Sequence, residues 1–168
     1  MDMLVTAGER KSIAVMCMAL HAAGVPADCF TGNQAGFETD DNYGSSKIVS
    51  VDPHRVRDSV DKGRVAVVAG AQGMSADNNV TFLGRGGSDT TAVALAHGLG
   101  ADACELYTDV SGVFTTDPRV CPTAKRMESI SFDELLEMTA VGCPKPAMRS
   151  VGVALAFGVP LHVRSAFT

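Results

Sequence analysis

An arginine, a serine and an aspartate gathered around three glycines are the densest chemistry in the sequence, at Gly84-Arg85-Gly86-Gly87-Ser88-Asp89. Val80, Phe82 and Leu83 ahead of them have strand character, and Ala92-Val93-Ala94-Leu95-Ala96 behind them is an apolar helical run. The stretch therefore reads as strand, tight turn and helix start. Glycines let the backbone bend sharply and approach a ligand closely. A helix start exposes unpaired N–H groups and the positive end of the dipole, which suits an anion. Ser88, Asp89, Thr90 and Thr91 offer oxygens that could cap that helix. Arg85 supplies a planar charge able to grip a carboxylate or phosphate through two hydrogen bonds. No Gly-Lys-Ser/Thr follows, and Asp89 stands where a dinucleotide fingerprint needs its third glycine. Spacing alone leaves two readings, an anion site or a plain connecting turn; the Arg85, Ser88 and Asp89 cluster favours the first.

A second polar group follows the next strand. Cys104 to Val110 has strand character and runs into Ser111-Gly112-Val113-Phe114-Thr115-Thr116-Asp117-Pro118-Arg119, a loop dense in turn residues. In open α/β sheets ligands bind beyond the carboxyl ends of strands, which is where Thr108, Asp109 and this loop belong. Taken singly, Asp117-Pro118 is an ordinary turn and Arg119 a solvated charge. Two such loops on neighbouring strands make a shared site the better reading. Near the N-terminus, Glu9 is expected in the first turn of a helix over Ala7 to Ala23, where its charge meets the dipole.

The elements that must position these groups alternate between strand and helix. The helix at Ala7 to Ala23 carries Ile13, Met16, Cys17 and Leu20 on one face and closes at Gly24 and Pro26. Ala27 to Phe30 is a strand, and two glycine-bearing loops then surround a weak strand. Lys47 to Val51 is another strand. Asp52-Pro53 opens a helix, Asp as N-cap and Pro at its first position, that stops at Gly63. Val65 to Ala69 is a continuous apolar run of the kind buried on both faces of a parallel sheet. Ser131 and Glu134 have capping-box spacing ahead of a helix that ends near Gly142. Cys143-Pro144-Lys145-Pro146 breaks the chain, Ala147 to Phe157 resumes a helix, and Leu161 to Ser165 is a final strand. This order predicts an α/β protein with a mostly parallel sheet covered on both faces.

Composition narrows the class. The chain has 168 residues, 46% of them hydrophobic and 20% charged, which suits one soluble domain. A net charge of −5 and the absence of tryptophan argue against nucleic-acid binding. No apolar run is long enough for a membrane span and no export signal is visible, so a cytoplasmic location is expected. The five cysteines have no metal-ligand spacing with the four histidines and read as reduced thiols.

With Gly84-Arg85-Gly86-Gly87-Ser88-Asp89, Tyr107-Thr108-Asp109-Val110-Ser111-Gly112-Val113 and Thr115-Thr116-Asp117-Pro118-Arg119 in this order, the chain resembles the aspartate kinases. Thr6-Ala7-Gly8-Glu9-Arg10, Gln34-Ala35-Gly36, Val68-Ala69-Gly70-Ala71-Gln72-Gly73 and Leu161-His162-Val163-Arg164-Ser165 are also similar to that family, its actinobacterial members especially. The resemblance implies the amino-acid kinase fold, a three-layer α/β/α sandwich. It implies transfer of the ATP γ-phosphoryl to the side-chain carboxylate of aspartate, the first step towards lysine, threonine and methionine. Carried over by residue, Arg85, Gly86, Gly87 and Ser88 would hold aspartate, with Glu9 on its amino group. Asp89 would orient a phosphate-binding lysine. Thr108, Asp109, Phe114, Asp117 and Arg119 would line the nucleotide site, Phe114 standing where a tyrosine is common. Magnesium would arrive with ATP rather than in a protein cage.

The sequence departs from the family in four places. The family's Lys-Phe-Gly-Gly segment has no counterpart, and Lys11, Lys47 and Lys62 lie in no glycine-rich context. Ala71 replaces the phenylalanine of a Gly-Phe-Gln-Gly turn, removing a wall of the acceptor pocket. Lys145 is shifted by one from the family's Ser-Lys or Ala-Lys pair; it either reaches phosphate or is an exposed loop lysine. The regulatory ACT domains have no counterpart either. The expectation is a partial catalytic domain over residues 1–168, with little activity as this chain alone, assembling as a homo-oligomer or with a complementing protein chain. The alternatives are a catalytically dead subunit that binds ligand or a partner, and a kinase for another amino-acid acceptor.

Overall fold

The computed structural model describes residues 1–143 and 145–167. Pro144, expected to help break the chain, lies outside the described residues. Eight strands and five helices form among these residues. In order they are α1 (Asp2–Ala22), β1 (Ala27–Phe30), β2 (Phe37–Thr39), β3 (Ile48–Val51), α2 (His54–Asp61), β4 (Val65–Val68), β5 (Gln72–Ser75) and β6 (Val80–Phe82). Then come α3 (Gly87–Leu99), β7 (Cys104–Thr108), α4 (Phe132–Ala140), α5 (Met148–Phe157) and β8 (Leu161–Ser165).

Three of the five strand pairings are parallel: β1 with β4, β2 with β5, and β7 with β8. The antiparallel pairs, β2–β3 and β5–β6, belong to a four-stranded sheet ordered β3-β2-β5-β6. The α/β class with mostly parallel pairing is as expected, and β5 is the one strand absent from the sequence reading. Gln72-Gly73-Met74-Ser75 holds no β-branched or aromatic residue, so nothing local marks it. Its neighbours impose it, with Gln72 opposite Phe82 and Met74 opposite Val80.

Three expectations are corrected. Helix α1 begins at Asp2, five residues before Ala7. Glu9 therefore sits well inside the helix, not in its first turn, and its proximity to the dipole end is lost. The run from Val65 is not buried throughout: Val65 is exposed and Ala66 to Val68 half-buried, because β4 pairs only with β1 among the described residues. Helix α2 starts at His54 with Pro53 as N-cap, one residue late, while the Asp52 carboxylate still accepts from the His54 N–H.

Helix α3 joins two of the three hydrophobic clusters. Ala94 packs with Phe30, Ala35, Phe37 and Val56, while Val93 and Ala96 pack with Cys104, Ala154 and Val159. A helix apolar on opposite sides is a buried helix. The turn that leads into it is thereby anchored to two clusters of the core. The third cluster, Val113, Leu135 and Val151, anchors the loop after β7 beneath α4 and α5.

Candidate functional site

The glycine turn leaves β6 at Leu83, which is 1% exposed. Leu83 N donates to Ala71 O at 2.9 Å, tying the turn to the segment ahead of β5. Gly86 adopts φ +72° and is the N-cap of α3. Among the described residues no side chain caps this helix, contrary to the expected role of Ser88, Asp89, Thr90 and Thr91, which lie within the helix itself. The hydroxyls of Thr90 and Thr91 turn back to the carbonyls of Gly86 and Gly87. Gly87 N donates to Gly84 O at 3.0 Å, while no side-chain oxygen among the described residues claims the N–H groups of Ser88 and Asp89, which leaves them and the dipole end available to an anion. Two glycines are required by crowding. A Cβ on Gly86 would lie 2.5 Å from the Ala147 methyl, and one on Gly87 would lie 2.9 Å from the Cβ of both Ala71 and Leu83.

Arg85 and Ser88 are exposed and Asp89 half-buried, so the cluster sits at the surface rather than inside. Ser88 faces Gly70, where an added Cβ would meet its Oγ at 2.8 Å. Asp89 points the other way. Its Oδ2 accepts from Ala147 N at 3.1 Å and lies 4.0 Å from Lys145 Nζ. Asp89, Lys145, Thr108, Leu106 and Pro146 line one cleft of about 110 Å³. Asp89 and the carboxyl end of β7 thus share a wall. Burial pushes the Cys104 thiol above its ordinary value, and the Asp89 carboxylate adds to the shift.

Glu9 is half-buried on the face of α1 that carries Asp2, Thr6, Ile13 and Cys17, the face packed on β1, β4 and β6. Its neighbour Arg10 and Thr6, three residues earlier, tie the helix to β5. The Arg10 Nε donates to Gln72 Oε1 at 3.2 Å, and Gln72 Nε2 donates to Thr6 O at 3.4 Å. Among the described residues neither Glu9 nor Arg85 makes a side-chain hydrogen bond or an ion pair.

Thr108, Asp109, Asp117 and Arg119 come together as a second group. Thr108 Oγ1 donates to Asp109 Oδ1 at 2.9 Å. Arg119 grips Asp117 with Nε at 3.1 Å from Oδ1 and Nη2 at 2.8 Å from Oδ2. That hydrogen-bonded guanidinium holds the Asp117 carboxyl below its ordinary value, and Asp109 helps raise Arg119 further. Phe114 is half-buried and bridges to Arg126 through the backbone.

Two residues at the site gave no sequence signal. Asp2, 4% exposed, accepts from Phe82 N at 2.8 Å and Gly44 N at 3.0 Å through one carboxylate oxygen. Arg149 donates to Leu83 O and, at 3.1 Å, to Ser45 Oγ. Both contacts span long stretches of chain, so no local pattern could reveal them.

Residues 1–165 match the amino acid kinase family. The chain is 53% identical to an aspartokinase of Corynebacterium efficiens over 169 aligned positions, covering all of this chain and 40% of that protein. It spans less than half the length of the curated relatives it matches. Among solved structures, Escherichia coli aspartokinase III in complex with aspartate and ADP superposes with a TM-score of 0.90 at 31% identity, covering 98% of this chain and 37% of that one. The aspartate kinase of Synechocystis superposes at 0.85 with 42% identity, covering 100% of this chain and 27% of that one. No helix among the described residues is long and apolar enough to cross a membrane. By sequence over nearly its full length, and by fold, this chain belongs to the amino acid kinase family.

Proposed function

We propose that this chain forms the acceptor-binding and part of the nucleotide-binding machinery of an aspartate kinase, which transfers the ATP γ-phosphoryl to the side-chain carboxylate of aspartate. The observation that carries the reading is that Glu9 is half-buried and Arg85 exposed with both charges uncommitted. These are opposite charges, each without a side-chain partner among the described residues, on elements joined through Thr6, Gln72 and the β5–β6 pair. A zwitterionic amino acid with a second carboxylate needs such a pair. Glu9 takes the ammonium, and Arg85 with the open first turn of α3 takes a carboxylate.

Phosphoryl transfer to a carboxylate demands alignment and charge neutralisation more than a strong base. Lys145, 4.0 Å from Asp89, supplies positive charge on the side facing Thr108. Thr108, Asp109, Phe114, Asp117 and Arg119 then face the nucleotide, and magnesium enters with it. The E. coli protein is solved with aspartate and ADP, the two classes of ligand that this reading requires.

A second reading, a different amino-acid acceptor, is favoured by Ala71. It is buried at φ +58°, and its small side chain lies against Gly87 beneath the turn. Calorimetric titration of aspartate and a panel of other amino acids separates the two. Aspartate binding supports the first reading, and binding of another amino acid alone supports the second. Binding of none removes both.

A further inference from the structure

We propose that Arg149 is a positioning residue that sets the shape of the Gly84–Ser88 turn; this rests on reading that turn as the acceptor site. Arg149 is the second residue of α5 and carries no carboxylate partner among the described residues. Its guanidinium instead reaches two neutral oxygens on separate segments, Leu83 O and Ser45 Oγ. Leu83 is the last residue before the turn, and its N–H is already bound to Ala71 O. With its N–H and carbonyl both held, the peptide planes on either side of Leu83 cannot rotate, and the turn starts from a fixed direction.

The far end of the turn is held by the same part of the chain. Ala147 N donates to Asp89 Oδ2, and the Ala147 methyl occupies the space that a Cβ on Gly86 would need. Residues 147–149 therefore grip 83–89 at both ends and in the middle. The Ser45 arm extends the grip to the loop that Asp2 holds through Gly44 N, so a guanidinium and a carboxylate brace the same two segments. A planar fork holds its donors in fixed directions towards both acceptors, whereas the three N–H groups of an ammonium rotate and fix no such geometry. Misplacing a substrate-gripping loop by about 1 Å can cost on the order of 100-fold in rate, so a brace this close bears on the chemistry.

The test compares Arg149→Met and Arg149→Lys with the unaltered protein. Calorimetry reads aspartate and ADP, and amide exchange reads Leu83 and Gly87, both hydrogen-bonded in the turn. The expected result for R149M is aspartate affinity down about tenfold or more, ADP affinity within about twofold, and exchange at Leu83 and Gly87 up about tenfold. R149K is expected to recover only part of each. Unchanged exchange at these two amides, or equal losses of both ligands, overturns the proposal. Should R149M not fold, Ser45→Ala removes one arm alone and is expected to weaken aspartate about threefold; no change there also overturns it. If the unaltered protein binds no aspartate, the acceptor reading is what fails, and the exchange result still decides whether Arg149 holds the turn.

Discussion

The carboxylate of Asp89 accepts the backbone N–H of Ala147 at 3.1 Å, joining the first turn of α3 to the N-cap of α5 across 58 residues of sequence. This one bond aligns the glycine turn with the segment bearing Lys145 and Arg149. It also explains why Gly86 tolerates no side chain. In Gly86→Ala the new methyl would sit 2.5 Å from that of Ala147, at a backbone φ of +72°. The expected loss is about 1–3 kcal/mol, part strain and part overpacking. Adding Ala147→Gly removes the clash and leaves only the strain, so the double variant should be more stable than G86A alone. Urea denaturation of the unaltered protein and these two variants checks this; a double variant no better than G86A contradicts the contact.

Asp2 is the second anchor of the turn. Removing its carboxylate leaves the amides of Phe82 and Gly44 without their acceptor. Asp2→Ala is expected to cost about 2–4 kcal/mol, and Asp2→Asn, which keeps one acceptor oxygen, roughly half of that. Chemical denaturation gives both values. Equal stability of D2A and the unaltered protein would show that α1 is not anchored there.

Much of the fold was legible because its elements carry local signals. The Ser131–Glu134 capping box forms with both reciprocal bonds, and Leu161 to Ser165 is a strand from end to end. The start of α1 and strand β5 were not legible. Asp2 holds partners 42 and 80 residues away, and Gln72 to Ser75 becomes a strand only through β2 and β6. At the site, the residue types point to Arg85, Ser88 and Asp89 as one cluster. They could not say that Arg85 and Asp89 diverge, Arg85 to solvent and Asp89 towards α5. Arg149 escaped notice for the same reason as Asp2: its acceptors, Ser45 and Leu83, are distant in sequence.

Acid sensitivity follows from the carboxylates held below their ordinary values. Asp28 accepts from Arg64 and Ser59 and is lowered from 3.8 by those bonds, the arginine's first. Tyr107 does the same for Glu105, and Ser131 for Glu134. A lowered folded-state value means the stabilisation is complete above the unfolded value and is lost as pH falls through the folded one. Thermal midpoints should therefore be flat from pH 7 to about pH 5 and fall below about pH 4. Asp28→Asn should lower the midpoint at pH 7 and shallow the acid decline. An unchanged acid slope in D28N would show that this pair contributes nothing to it.

The thiols should differ in reactivity. Burial raises the Cys17 and Cys104 thiols, whereas the Thr123 hydroxyl, 3.2 Å from the Cys121 sulfur, lowers Cys121. Because the thiolate is the nucleophile, iodoacetamide at pH 7.5 should modify Cys121 well before Cys17 or Cys104. Mass spectrometry over a time course reads the order directly. Cys104 labelling as fast as Cys121 would mean that β7 is not covered by α3.

The most direct measurement of the central claim is calorimetric titration of aspartate into the purified protein and its Arg85→Ala variant, with ADP and magnesium present. The account predicts that the unaltered protein binds aspartate and that R85A binds it about 10- to 100-fold more weakly, a difference of about 1.4–2.8 kcal/mol, with ADP affinity little changed. Equal aspartate affinity in the two proteins would contradict it.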